Sequence, residues 1–333
     1  MGGGLKARLL GAALAVLLAG SGVPARAVAP EAPLFRLRSA FWPNLHHFLF
    51  QQAEAGSASG SRSALAARAA RERVACELQP ASAGAWERAV SFYRDRFLGR
   101  DLLFDGDLRL ASQALLDAGD GPLTARTALA PVHFYQLAAA GAAYRPACWP
   151  GHDARNRAFI SALEPLVARH GNALARRLAA AYGRPWEFAP LDVDVVVFGG
   201  WSGAYTTVAP NHVTLSSTVD AHAGTGGLEV LFHEASHVPG MLVARELGDA
   251  CRAAGRALPR DLWHALIFFT VGESVRAELG AGYRPYAERL GLYERGEWAA
   301  HRHLLERGWR PVLQGRAAPA QGYRALCAAL PPA

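Results

Sequence analysis

The chain has 333 residues and a formal net charge of +7, from 35 Lys and Arg against 28 Asp and Glu. Hydrophobic residues make up 51% of it, ample for a continuous core, which excludes a broadly disordered protein. The excess of Arg is spread thinly with no basic block, so the chain carries no nucleic-acid footprint.

The first residues have the form of an export signal. Lys6 and Arg8 precede an apolar stretch over 9–18, and Ala25-Arg26-Ala27 reads as an A-x-A cleavage site. The apolar run is too short to span a bilayer. The expectation is therefore a signal peptide over 1–27 and a mature protein that is periplasmic or secreted, with no stable membrane span after cleavage. Loss of Lys6, Arg8 and Arg26 lowers the net charge by three, from +7 to +4. Cys76, Cys148, Cys251 and Cys327 all follow the leader, and in an oxidising compartment they allow two disulfides with three connectivities. Their even split between the two halves suggests Cys76–Cys148 and Cys251–Cys327.

Residues 28–184 read as a helical N-terminal region. Helical patterns cover 41–53, 64–78, 85–97, 108–118, 128–143 and 153–182, with Pro165 as a kink or restart in the last. The Gly/Ser-rich stretch 54–63 is a connector. Of the adjacent His46 and His47, one is expected to pack and the other to face solvent. Asp105 and Asp107, like Asp192 and Asp194, are too closely spaced for a calcium loop and suit turns or strand edges.

The pattern changes at Arg184-Pro185, opening a second region, 185–333, that is either separate or continuous with the first. Runs at 192–198, 204–208 and 212–217 read as strands, the last a candidate edge for pairing with an extended peptide. A glycine-rich loop over 223–227 then leads into a helix, with Thr225 as N-cap and Glu229 in the first turn. Pro239-Gly240 is expected to end that helix, with further helices over 241–254 and 261–279. The fold class that follows is α+β, predominantly helical, with a small β-sheet preceding the helix that carries the chemistry.

That chemistry is in His233-Glu234-Ala235-Ser236-His237, an H-E-x-x-H segment. On a helix, positions i and i+4 lie one above the other, so both imidazoles reach one Zn2+ while the glutamate serves as general base. A catalytic zinc needs a third protein ligand. The H-x-x-G-x-x-H continuation fails, because the required position holds Val243. A later helix offers His264, Glu273 and Glu278. His264 and Glu273 are nine positions apart, on opposite faces of a straight helix. Glu273 follows a strongly apolar run, where a carboxylate is costly unless paired or metal-bound, and it is preferred as the ligand. Glu278 sits near the polar end and reads as a surface residue, and the pair Phe268-Phe269 as core.

Strand, glycine-rich loop, H-E-x-x-H helix and a second helix with Glu resemble the gluzincin branch of the zincin metallopeptidases over residues 191–280. The resemblance implies a zincin-like fold, Zn2+ held by His233, His237 and Glu273, Glu234 as catalytic base, and a peptide or protein substrate. The carboxylate often found four residues after the ligand glutamate is replaced here by Ala277. Tyr283, Tyr286, His301 and His303 are available as oxyanion donors, and the sequence does not choose among them. The alternative from another class is a non-enzymatic exported helical protein in which H-E-x-x-H is structural or a chance match. A zinc hydrolase of a non-peptide amide is a third reading. Oligomeric state is not encoded in any motif.

Overall fold

The computed structural model describes residues 33–56, 64–124, 126–186, 190–208 and 210–332. The expected leader, 1–27, and most of the connector, 54–63, lie outside the described residues. Pro33–Ala333 form one compact unit, so the two expected regions share a body. The fold is predominantly helical with one four-stranded mixed sheet. Among the described residues no helix is long and apolar enough to cross a membrane.

The sheet holds β1 (Phe35–Arg38), β2 (Leu191–Val196), β3 (Ala204–Val208) and β4 (Asn211–Ser216) in the order β1-β2-β4-β3. β1 and β4 flank β2 in parallel, and β3 closes the sheet antiparallel to β4. β1 belongs to the half read as helical, and four residues are too few for its alternation to announce a strand. Charge fixes its register: Arg36 pairs opposite Asp192 at 2.7 Å and Arg38 opposite Asp194 at 2.9 Å. Asp192 and Asp194 thus have strand roles. Asp105 caps a helix by accepting from the Leu108 N–H. The candidate edge strand, 212–217, is interior, paired on both sides, and β3 takes the outer position.

One sheet face meets α1 (Phe41–Ala55), α2 (Ala64–Ala75), α3 (Pro80–Phe97), α4 (Gly106–Ala118) and α5 (Pro131–Ala147), with Val197, Phe198 and Tyr205 in their core. The other face sends Val193, Val213 and Leu215 into a second core with α6 (Trp149–Tyr182), α7 (Thr225–Ala253), α8 (Leu262–Leu279), α9 (Tyr286–Arg289), α10 (Trp298–Gly308), α11 (Arg310–Leu313) and α12 (Pro319–Ala328). Cys76–Cys148 and Cys251–Cys327 are both bonded, one disulfide in each half.

Both His46 and His47 are buried, because α1 is covered on every side. His46 bonds Tyr93 at 2.6 Å and Ser112 at 3.2 Å, and His47 bonds the Pro43 carbonyl and Tyr205, each at 2.7 Å. α6 runs unbroken through Pro165, which sits on its exposed face with Ser161, whose carbonyl the proline leaves without a helical partner.

α7 departs most from expectation. Its N-cap is Gly224 at φ +56°, not Thr225, and it continues through Pro239 to Ala253. Pro239 leaves the Ala235 carbonyl without its helical partner. Thr206 of β3 reinforces that turn by donating to the neighbouring Glu234 carbonyl at 2.8 Å. Gly240 is no stop signal but the crossing point with α8, where an added Cβ would run into Ile267. Gly240→Val is expected to force the helices apart at a cost of about 1–3 kcal/mol and to weaken metal binding. Urea unfolding and zinc titration check both effects, and unchanged values would remove the crossing from this account.

Candidate metal centre

The α7–α8 crossing places one side chain from α8 against two from α7. His233 and His237 lie one turn apart on the α7 face toward α8, and Gly240 is the next turn's contact point. His264 is one turn before Ile267, its partner at the crossing. All three rings point Nε2 inward. His233 Nε2 is 3.3 Å from His237 Nε2 and 3.3 Å from His264 Nε2. The donors of the three lie within 4.8 Å of one another.

That spacing suits a shared ion. With Zn–N bonds of about 2.0–2.1 Å at tetrahedral angles, ligand nitrogens stand about 3.3–3.4 Å apart. Hydrogen bonds alone account for it poorly, since a neutral ring has one N–H and His233 Nε2 faces two partners. Burial, then mutual repulsion, holds all three rings neutral: His237 is lowered to about 3, His264, by burial, to about 4, and His233 well below the ordinary range. Neutral imidazoles offer the lone pairs a metal requires. The donor set therefore fits Zn2+.

Glu234 lies beside this triad, its Oε2 3.8 Å from His237 Nε2. The single Thr206 hydroxyl proton is shared between that oxygen and the Glu234 carbonyl, each 2.8 Å from Oγ1. Burial raises the carboxyl to about 7, against the pull of the Thr206 bond. β3 therefore both orients the carboxylate and braces the helix beneath it.

Glu273 is not among the converging donors, and the expectation that it is the third ligand is corrected. Once His264 faces α7, a residue nine positions later must face away. There Glu273 closes a ring of ion pairs. It accepts from Arg276 at 2.9 Å and Arg310 at 3.0 Å. Arg276 pairs with Glu288 at 2.7 Å, Glu288 with Arg302 at 2.8 Å, Arg302 with Glu306 at 4.0 Å, and Glu306 with Arg310 at 2.8 Å. Three carboxylates and three guanidiniums thus tie α8, α9, α10 and α11 together. Glu278 pairs with His170 at 3.2 Å and Arg177 at 3.6 Å, apart from the triad.

The oxyanion candidates separate as well. The Tyr283 hydroxyl donates to the buried Glu229 at 2.6 Å, and the same carboxylate accepts the Tyr286 N–H at 2.7 Å. His303 is exposed, and His301 is buried with neither ring nitrogen bonded. Tyr286 comes nearest the centre, its ring parallel to Phe268, which itself stacks on His233 with centroids 3.7 Å apart. The Tyr286 hydroxyl donates to His222 Nε2 at 3.4 Å, while His222 Nδ1 bonds the Ser216 carbonyl. Phe268 is thus part of the site's wall rather than simple core, and Trp263 and Trp298, which sequence reading missed, also border it.

Comparison with models of known protein families, with curated proteins and with solved structures finds no match to this chain.

Proposed function

We propose that this chain is an exported zinc-dependent hydrolase that cleaves peptide bonds. The observation that carries the reading is the triad of Nε2 atoms with the Glu234 carboxylate alongside. Three protein ligands leave a tetrahedral ion one position for water or substrate, the arrangement of catalytic rather than structural zinc. Bound there, zinc supplies a water of lowered pKa and polarises the scissile carbonyl.

The protein's own groups do the rest. His233, His237 and His264 hold the ion and remain neutral. Glu234 accepts a proton at Oε2 and returns it to the leaving amine, a role suited to a carboxyl raised to about 7. Thr206 keeps that oxygen aimed. Among the described residues β3 has β4 as its single strand neighbour, and Thr207 and Val208 at its end are its more exposed positions, the place where an extended substrate could pair. The leader-like first residues and two disulfides support export.

Glu234→Gln is expected to keep one zinc per chain while lowering turnover of unfolded protein substrates on the order of 10²–10⁴-fold. Metal analysis and peptidase assays on both proteins check this. Zinc retained with no turnover by the parent chain would make the centre structural.

A further inference from the structure

The metal centre sits in an aromatic surround that ligation does not require. Trp263 stacks on His264 with centroids 5.2 Å apart and meets His237 edge-on at 6.0 Å. Trp298, delivered from α10, meets His264 at 5.9 Å and Phe268 at 5.6 Å. Trp263, Phe268 and Trp298 are all half-buried. Met241, one turn beyond His237 on α7, is 56% exposed. Leaving so much apolar surface partly wet beside a metal has a cost that a ligand would recover.

Charge points the same way. The arginines of the ion-pair ring on α8, α10 and α11, Arg276, Arg302 and Arg310, are each bound to two of its carboxylates. They offer nothing to an acidic side chain. Glu234 is committed to Thr206 and the triad, and Asp261 and Glu297, at the starts of α8 and α10, are exposed. A basic side chain would find no buried partner.

We propose that the subsite adjoining the metal selects a large apolar, preferably aromatic, side chain next to the bond cleaved, with Trp298 and Trp263 as its principal contacts. The inference rests on the hydrolase reading above, but its test needs no turnover. Aromatic rings pack against such walls edge-on or offset, as Trp298 and Phe268 already do with one another.

Amino-acid hydroxamates, which anchor to zinc through the hydroxamate and differ in side chain, are the probes. Calorimetry on the zinc-loaded full chain is expected to show phenylalanine hydroxamate binding on the order of ten- to a hundredfold more tightly than alanine or lysine hydroxamate. Trp298→Ala is expected to reduce that ratio to about threefold or less with zinc content unchanged, and Trp298→Phe to restore most of it. Equal binding of the three probes, preference for the lysine compound, or a ratio indifferent to Trp298→Ala would each overturn the inference. Turnover is read separately. An aromatic preference in a protein that cleaves no peptide supports the subsite and removes the hydrolase reading.

Discussion

Replacing His264 with alanine is expected to abolish stoichiometric zinc binding, whereas Glu273→Gln leaves it intact. His264 supplies one of three nitrogens whose spacing matches a tetrahedral ion, so its removal leaves two ligands one turn apart on a single helix. The loss of affinity should exceed the roughly 10- to 100-fold that follows from deleting an outer hydrogen-bond partner of a ligand. Glu273→Gln weakens two ion pairs instead, in a ring held half-buried across four helices. Its effect should appear in unfolding, on the order of 1–3 kcal/mol, because it leaves Arg276 and Arg310 underpaired. Competition titration with a chromophoric chelator, run beside urea unfolding, separates the two variants. Zinc lost from Glu273→Gln and kept by His264→Ala would reverse the ligand assignment.

The second large effect is acid lability originating away from the histidine triad. On the opposite sheet face, burial lowers His47 and His133 from the ordinary 6.5 to about 4. Their neighbours give little relief: Tyr93 bonds His133 at 2.8 Å, and Tyr205 and the Pro43 carbonyl bond His47. Asp194 favours the charged form of His47, while His212 opposes it. In the unfolded chain both rings take protons near pH 6.5, and in the folded protein only near pH 4. Their contribution is therefore whole above about pH 7 and is lost as pH falls from 6.5 toward 4. At pH 5 each ring then costs about 2 kcal/mol relative to neutral pH. His133→Gln, which has no such titration, should show a correspondingly shallower fall in unfolding free energy between pH 7 and 5. Superimposable pH profiles for the two proteins would exclude His133 as a source. His233, His237 and His264 are the same in both, so the difference isolates this ring.

Much of this architecture was written in local sequence. The H-E-x-x-H spacing put His233, Glu234 and His237 together, β-branched runs marked three strands, and the halves of the chain matched the disulfides. What escaped prediction depends on partners distant in the chain. Phe35–Arg38 becomes a strand by pairing with β2, where Asp192 and Asp194 stand opposite its arginines and Phe35 enters the core. Pro239-Gly240 reads locally as a helix end, yet Thr206 bonds the Glu234 carbonyl in the proline turn and the Ile267 side chain packs where a Cβ at Gly240 would stand. The choice between His264 and Glu273 turned on the cost of burying a carboxylate. Arg276 is one turn from Glu273 on the same helix, but the Arg310 contact arises only when α11 packs on α8. The opposite-face geometry of the two candidates was already available, and it means that selecting one dismisses the other.

The most direct test of the central claim is zinc K-edge X-ray absorption on the zinc-loaded full chain. Three imidazole nitrogens at about 2.0–2.1 Å plus one light oxygen donor are expected. Two imidazoles with a carboxylate as the third protein ligand, or a protein that takes up no stoichiometric zinc, would contradict it.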